Sequence, residues 1–386
     1  MKSNYRYIVK AFMAMAVIAG TTSCDDFLDR EPMSSISPET YYSTAAQLEA
    51  NLNDEYPNVL PSFGQWTYGI FGEDKGTDNQ IEVNANDRYT QDRWKVPHSE
   101  SDNWKFERIY RINFFLSEAL PKFGEDMSGS QNTISGSVAT IKHYIGEMYF
   151  LRAYEYFKKL QLFGDFPIID QPLADEMEAL REASKRFPRN EVARFIISDL
   201  DKAYAYMSDV DMATTRINKD AAMLVKSRVA LFEATWLQNF KGTAFVPGGE
   251  GWPGASLHNN YQYPSGNLDN EVKYFLEQAV EASKLVADKY KGNLTENTGV
   301  LQQSADDPSN PYFDMFAQED LSDVKEVLLW RQYARGLSTH NINAAAGRGN
   351  YRIGLTRGFV QNFLMKMVLR FMLTVLMRMV TAIIWA

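Results

Sequence analysis

The side chains that most often carry out catalysis are sparse in this sequence. His98, His143, His258 and His340 are its only imidazoles, and no two stand at a metal-ligand spacing such as HExxH. A G-x-S-x-G nucleophile elbow, a phosphate-cradling Walker loop and a GxGxxG turn are all missing. Carboxylates are plentiful, but glycosidic hydrolysis needs a pair held at a set separation, which spacing along a chain does not determine. The stretch "GTDNQIEVNANDR" (76–88) gathers Asp78, Asn84, Asn86 and Asp87 without the regular ligand positions and glycine of an EF-hand loop. It reads as a polar loop, and the chain as one with no catalytic residue, metal or cofactor.

Aromatic rings are what the chain has in abundance, with 21 Tyr and 7 Trp in 386 residues. Rings that are half apolar and half polar suit flat, wet surfaces such as sugar faces. Two loop-like stretches concentrate them. The first (63–103) carries Trp66, Tyr68, Tyr89 and Trp94 beside Asp78, Asn79, Asp87 and Arg88. The second (246–267) carries Trp252, Tyr261 and Tyr263 amid Gly, Pro and Asn. Stacking platforms flanked by amides and carboxylates are what a glycan site needs, each ring contributing about 1 kcal/mol. The same rings could instead pin their loops to the body, because ordered loops need apolar anchors. Trp104, Trp236 and Trp330 stand in helix-like or apolar blocks and are assigned to the core.

The elements that must position these loops are helices. "WKFERIYRINFFLSEAL" (104–120) places Trp104, Ile109, Ile112, Phe115, Leu116 and Ala119 on one face. The longest stretch, 139–164, does the same with Ile145, Met148, Tyr149, Ala153, Tyr156, Phe157 and Leu160 before stopping at Gly164. Further helices are expected over 37–59, opening at Ser37 and Pro38, over 190–207 with Asn190 as N-cap, over 218–240 and over 269–290. Paired helices with Ala at close-contact positions predict an all-α, tetratricopeptide-like helical-pair solenoid with long irregular loops and a degenerate repeat.

The N-terminus reads as an export signal. Lys2, Arg6 and Lys10 precede the apolar run "AFMAMAVIAG" (11–20) and the small residues "TTS", a run too short for a permanent membrane helix. Cys24, the one cysteine, follows at once, so no disulfide can form within the chain. Its placement resembles a bacterial lipobox, in which Cys24 carries acyl chains, although Thr21 stands where a larger apolar residue is usual. Asp25, Asp26 and Asp29 resemble the acidic tag of Bacteroidetes surface lipoproteins. A net charge of -9 without a basic stretch argues against nucleic acid as a partner.

Six blocks in order carry a wider resemblance. "CDDFLDREP" (24–32), "WKFERIYRINFFL" (104–116), "GEMYFLRAYEYFKKLQLFGDFPII" (146–169), "FPRNEVARFIISDLDKA" (187–203), "INKDAAMLVKSRVALFEATW" (217–236) and "YFDMFAQEDLSDVKEVLLWRQY" (312–333) resemble consecutive blocks of the SusD/RagB family. The resemblance implies a helical scaffold of four tetratricopeptide-like units in an outer-membrane lipoprotein facing the cell surface. It also implies that the protein captures a glycan and hands it to a SusC-like TonB-dependent transporter, without chemistry of its own. A glycoside hydrolase and a non-catalytic adhesion module are the alternatives. Family binding residues vary with the glycan, so the site residues named above rest on loop position alone.

The expected organisation is a signal peptide over 1–23, a glycan-binding domain over 24–366 that is incomplete at its C-terminal end, and an aberrant tail over 367–386. The tail is apolar enough to suggest a membrane helix, yet Arg370 and Arg378 lie within it, each costing about 2.5–3.5 kcal/mol near a bilayer centre. Read one nucleotide back, the codons from Met367 can yield Asp-Gly-Leu-x-Ile-Tyr-Ala, which resembles the family's usual continuation. A single-nucleotide deletion after Lys366, or a sequencing error there, is therefore expected; a deletion leaves a truncated member with exposed apolar helix faces.

Overall fold

The computed structural model describes residues 41–64, 74–81, 103–208, 212–300, 304, 306–334, 339 and 354–362. The export signal with Cys24 lies outside these residues, as does the tail over 367–386.

Local capping sets where the helices begin. Helix α1 (Ala45–Val59) opens on a capping box, in which the Gln47 amide N–H donates to Thr44 Oγ1 at 3.3 Å and Gln47 Oε1 accepts the Thr44 amide at 3.0 Å. The expected start at Ser37 and Pro38 lies outside the described residues, and the residues just before α1, 41–44, are not helical, Tyr42 having a φ of 55°. Helices α2 (Glu107–Phe123) and α3 (Val138–Phe163) follow, α3 ending where Gly164 adopts a φ of 68°. A short α4 (Met177–Ala183) leads to α5 (Arg189–Tyr206), α6 (Lys219–Asn239) and α7 (Leu268–Tyr290). Asn218 and Asn267 cap α6 and α7, accepting the amides of Ala221 at 3.0 Å and Asn270 at 2.9 Å. The expected Asn190 cap is not made: Pro188 holds that position, and Asn190 lies inside α5 with its carboxamide turned to other partners.

Two more short helices, α8 (Pro311–Ala317) and α9 (Arg357–Asn362), come later in the chain. Strand β1 (Gln80–Ile81), between α1 and α2 in the chain, pairs antiparallel with β2 (Gly354–Leu355), just before α9, with Gln80 opposite Leu355.

The long helices stack in sequence order. Helices α1 and α2 pack on α3, α3 packs on α5, α5 on α6, and α6 on α7. This is the nearest-neighbour pattern of a helical-pair array. The expected stripes of α2 and α3 are buried, with Trp104 and Trp236 packed against the core from its edge. As the middle layer, α3 is covered on several sides, so Glu147, Arg152, Glu155 and Lys159 are buried along with its apolar residues. Gly146 lets it approach α5 closely: a Cβ there would sit 2.8 Å from the Met207 amide nitrogen and 2.9 Å from the Ala203 carbonyl oxygen.

Buried ion pairs tie the layers together. Arg152 of α3 grips Asp199 of α5 through bonds of 2.6 and 2.8 Å, and its third contact, at 2.9 Å, is Asn113 Oδ1 of α2. Arg189 of α5 reaches Glu233 of α6 at 2.8 Å, and Arg194 of α5 reaches Glu271 of α7 at 2.7 and 2.8 Å. Removing one partner of such a pair leaves an uncompensated buried charge, a cost of about 3–5 kcal/mol.

Candidate functional site

The second aromatic loop leaves α6 at its C-terminal end and is folded back onto the body. Its centre is Trp252, 5% exposed. The indole Nε1–H donates to Asp165 Oδ2 at 2.7 Å, while Asp165 Oδ1 accepts the Arg189 amide at 2.9 Å. Burial raises the Asp165 carboxyl above the ordinary range, against the pull of these two donors. The His258 ring stacks on Trp252 with centroids 5.9 Å apart, and its Nε2 lies 2.8 Å from the Arg186 carbonyl oxygen. Tyr261 leans on Trp252 at 5.5 Å and exchanges hydrogen bonds of 2.9 and 3.0 Å with the Asn190 carboxamide. That carboxamide also donates to Glu271 at 3.0 Å. Tyr263 donates to the Pro247 carbonyl oxygen at 2.5 Å. Burial pushes both tyrosine hydroxyls above their ordinary range.

The consequence is that Trp252 anchors the loop and offers no open face for stacking, and Tyr261 and Tyr263 have their hydroxyls committed inside the protein. The pinning role open to these rings at the level of sequence is the one the tertiary contacts support for Trp252. Asn190, Asp165 and Glu271 complete this anchor and carry no sign of it in the sequence, because they come from three separate elements.

Of the first loop, Asp78 and Asn79 are described, while Trp66, Tyr68, Asp87, Arg88, Tyr89 and Trp94 lie outside the described residues. Asp78 is exposed and Asn79 half-buried, on a turn leading into β1. The Asn79 amide group donates to Asp74 at 3.2 Å, its carbonyl oxygen accepts the Thr356 amide at 2.9 Å, and the Thr356 hydroxyl donates to the Asp78 carbonyl oxygen. Residues far apart in the chain thus meet at this turn. Among the described residues no group of three His, Cys, Asp or Glu side chains is gathered as a metal site requires.

A third region escaped notice in the sequence. A groove of about 400 Å³ lies between the segment after α7, the inner face of α8 and residues 323–325. Pro311, Asp314, Met315 and Gln318 of its lining stand at i, i+3, i+4 and i+7 spacing, and Asn293, Thr295, Asp323 and Lys325 also line it. Met315, 6% exposed, is its one buried lining residue. Asn310, just before α8, ties it to the segment after α7, donating to Asn297 at 3.1 Å and to the Val300 carbonyl oxygen at 3.0 Å, and Glu326 accepts the Thr295 amide at 2.5 Å. The opposite face of α8 displays Tyr312, Phe313 and Phe316 to solvent. The Asn-Pro pair opening α8 was the available signal, but a seven-residue helix is too short for its periodicity to stand out.

The chain is similar to several known proteins. SusD-like protein P2 of Formosa agariphila is 25% identical over 253 residues, covering 62% of this chain and 46% of that protein. SusD-like protein P25 of the same organism is 25% identical over 233 residues, covering 55% of this chain and 41% of its own. The chain therefore spans less than half the length of these relatives. Among solved structures, a SusD-like carbohydrate binding protein of Bacteroides fragilis matches with a TM-score of 0.42 and 16% identity over 67% of this chain and 42% of its own. A laminarin binding SusD-like protein matches with a TM-score of 0.37 and 18% identity over 51% and 42%. The sequence pattern of the SusD-like family, described as starch-binding associating with outer membrane, matches residues 26–231. That span runs from just past Cys24 into α6 and takes in over half of the chain, which thus belongs to the SusD/RagB family.

Proposed function

We propose that this protein is a surface lipoprotein of the outer membrane that binds glycans and passes them to a SusC-like TonB-dependent transporter. The observation that carries the reading is the family match over 26–231, whose description joins starch binding to the outer membrane. The apolar run at 11–20 and the placement of Cys24 support an acyl anchor on that cysteine. Capture without hydrolysis is the proposed activity, with the domain spanning 24–366. The rings of the first loop, Trp66, Tyr68, Tyr89 and Trp94, with Asp78, Asn79, Asp87 and Arg88, are the proposed contacts there.

The test is electrophoresis of the soluble chain from Asp25 onward through gels containing polysaccharides. Retardation by at least one glycan with no release of reducing sugar supports the reading. Hydrolysis of the panel would turn it toward a glycoside hydrolase, and absence of retardation by a chain with intact helical circular dichroism would turn it toward adhesion. Within this reading, Trp94→Ala weakens binding about fivefold to tenfold, as loss of one stacking ring costs about 1 kcal/mol or slightly more. Unchanged affinity rejects the first loop as the platform.

A further inference from the structure

Two adjacent lysines of α3 reach both ends of the first aromatic loop. Lys159 Nζ donates to the Asn103 carbonyl oxygen at 2.8 Å, shortly before α2, and Lys158 Nζ donates to the carbonyl oxygen of Val59, the last residue of α1. Neighbouring positions on a helix point about 100° apart, so the two side chains diverge. Glu155, three and four residues earlier, lies between them on the helix surface. It is 3% exposed, and its carboxylate stands 3.3 Å from Lys158 Nζ, 3.4 Å from Lys159 Nζ and 3.9 Å from Arg108 of α2.

Further contacts fix the same two ends. Beyond α1, the Arg331 guanidinium donates to the Ser62 hydroxyl. Next to Asn103, Trp104 packs edge-on against Phe163 and Phe166, with centroids 4.9 Å from each, and the Arg186 guanidinium lies 4.6 Å from its ring centre. A lysine that caps the free carbonyls of a helix C-terminus would account for the Val59 bond alone. It does not account for Asn103, which belongs to no helix, or for the buried carboxylate that both ammonium groups share.

Resting on the glycan-binding reading, we infer that Glu155, Lys158 and Lys159 form a clamp that holds the two ends of the 60–102 segment side by side and so positions its proposed glycan contacts. Joining the ends during folding removes chain entropy that ordering the segment around a ligand would otherwise cost. The lysines are positioning residues, acting on affinity through the loop and not by touching the glycan.

The experiment compares the soluble chain from Asp25 onward with Lys158→Met, Lys159→Met and Lys158→Arg by electrophoresis through gels of amylopectin, laminarin or xylan. Each is run at a temperature where it keeps its full helical circular dichroism. Methionine retains the apolar stem of lysine and removes the ammonium, whereas arginine retains the charge and the donors, with room at Lys158, whose side chain is 33% exposed. In the polysaccharide that retards the wild-type chain, each methionine variant is expected to bind about tenfold more weakly and Lys158→Arg within about twofold of wild type. Loss of a mere cap lowers the melting temperature and leaves the affinity of the folded chain unchanged, so undiminished binding by Lys158→Met overturns the clamp. Binding by Lys158→Arg as weak as by Lys158→Met also overturns it, because a charged donor at this position would then not be what holds the loop. If Lys159→Met does not keep its helices, the two Lys158 variants decide. Absence of retardation of the folded wild-type chain by all three polysaccharides overturns the glycan-binding reading itself, and the role of the clamp with it.

Discussion

The loop after α6 and the groove beside α8 put their polar groups to opposite uses. In the loop, the indole N–H of Trp252, the hydroxyls of Tyr261 and Tyr263 and the Nε2 of His258 all find partners inside the protein. In the groove, the side chains of Asn293, Asp314, Gln318 and Asp323 have no internal partner among the described residues, and all but the half-buried Asp314 are exposed to solvent. An aromatic residue in a loop is therefore a poor guide to binding until its polar tip is followed to a partner. Committed polar groups lend stability, because a buried donor left without an acceptor costs about 1–3 kcal/mol. Uncommitted ones at a surface groove are free for a ligand and contribute little to folding.

If that contrast is right, substitutions in the two regions separate into stability and affinity. The largest effect is expected at Trp252→Ala, which removes a buried indole and strips Asp165 of a donor. A loss of about 3–5 kcal/mol, read by urea denaturation, is the expected outcome. A loss below about 1 kcal/mol would mean that the loop is not pinned by this ring.

Glu271→Gln probes the same anchor through pH. Burial works to raise this carboxyl, but hydrogen bonds from Arg194, Asn190 and Ser265 outweigh it and hold it below its ordinary value of 4.5. A depressed folded-state value stabilises the protein above 4.5, and that contribution is lost as pH falls through the lower folded value. Because Gln keeps one acceptor oxygen and Arg194 is a quarter exposed, the variant is expected to lose only about 1–3 kcal/mol at neutral pH, with the difference from wild type shrinking below pH 4.5. Denaturation curves at several pH values decide it, and a difference independent of pH would remove the charge from the explanation.

The smallest effect is expected in the groove. Asp323→Asn alone should leave stability within about 0.5 kcal/mol of wild type, because its carboxylate supports no internal contact. A larger loss on thermal melting would show that the groove is part of the folded scaffold and that the contrast between the regions is overstated.

Much of the helical scaffold was legible beforehand. The stripe Ile109, Ile112, Phe115, Leu116 and Ala119 is buried as its spacing implies, and the stop of α3 at Gly164 follows from the left-handed turn that glycine accepts. Asn190 shows where such reading runs out. Its type and position suited an N-cap, yet its amide joins Tyr261 and Glu271, partners 71 and 81 residues away. The groove was hidden for a related reason, since its lining comes from three short segments, none long enough to show a period.

The amino-acid sequence by itself determined the helices, their apolar faces and the family, because each of these depends on residues a few positions apart or on ordered blocks along the chain. Only the tertiary structure decided which polar and aromatic side chains are committed inside and which are free. That choice depends on distances in space between segments tens to hundreds of residues apart, where hydrogen bonding acts over about 3 Å and sequence separation carries no information about it.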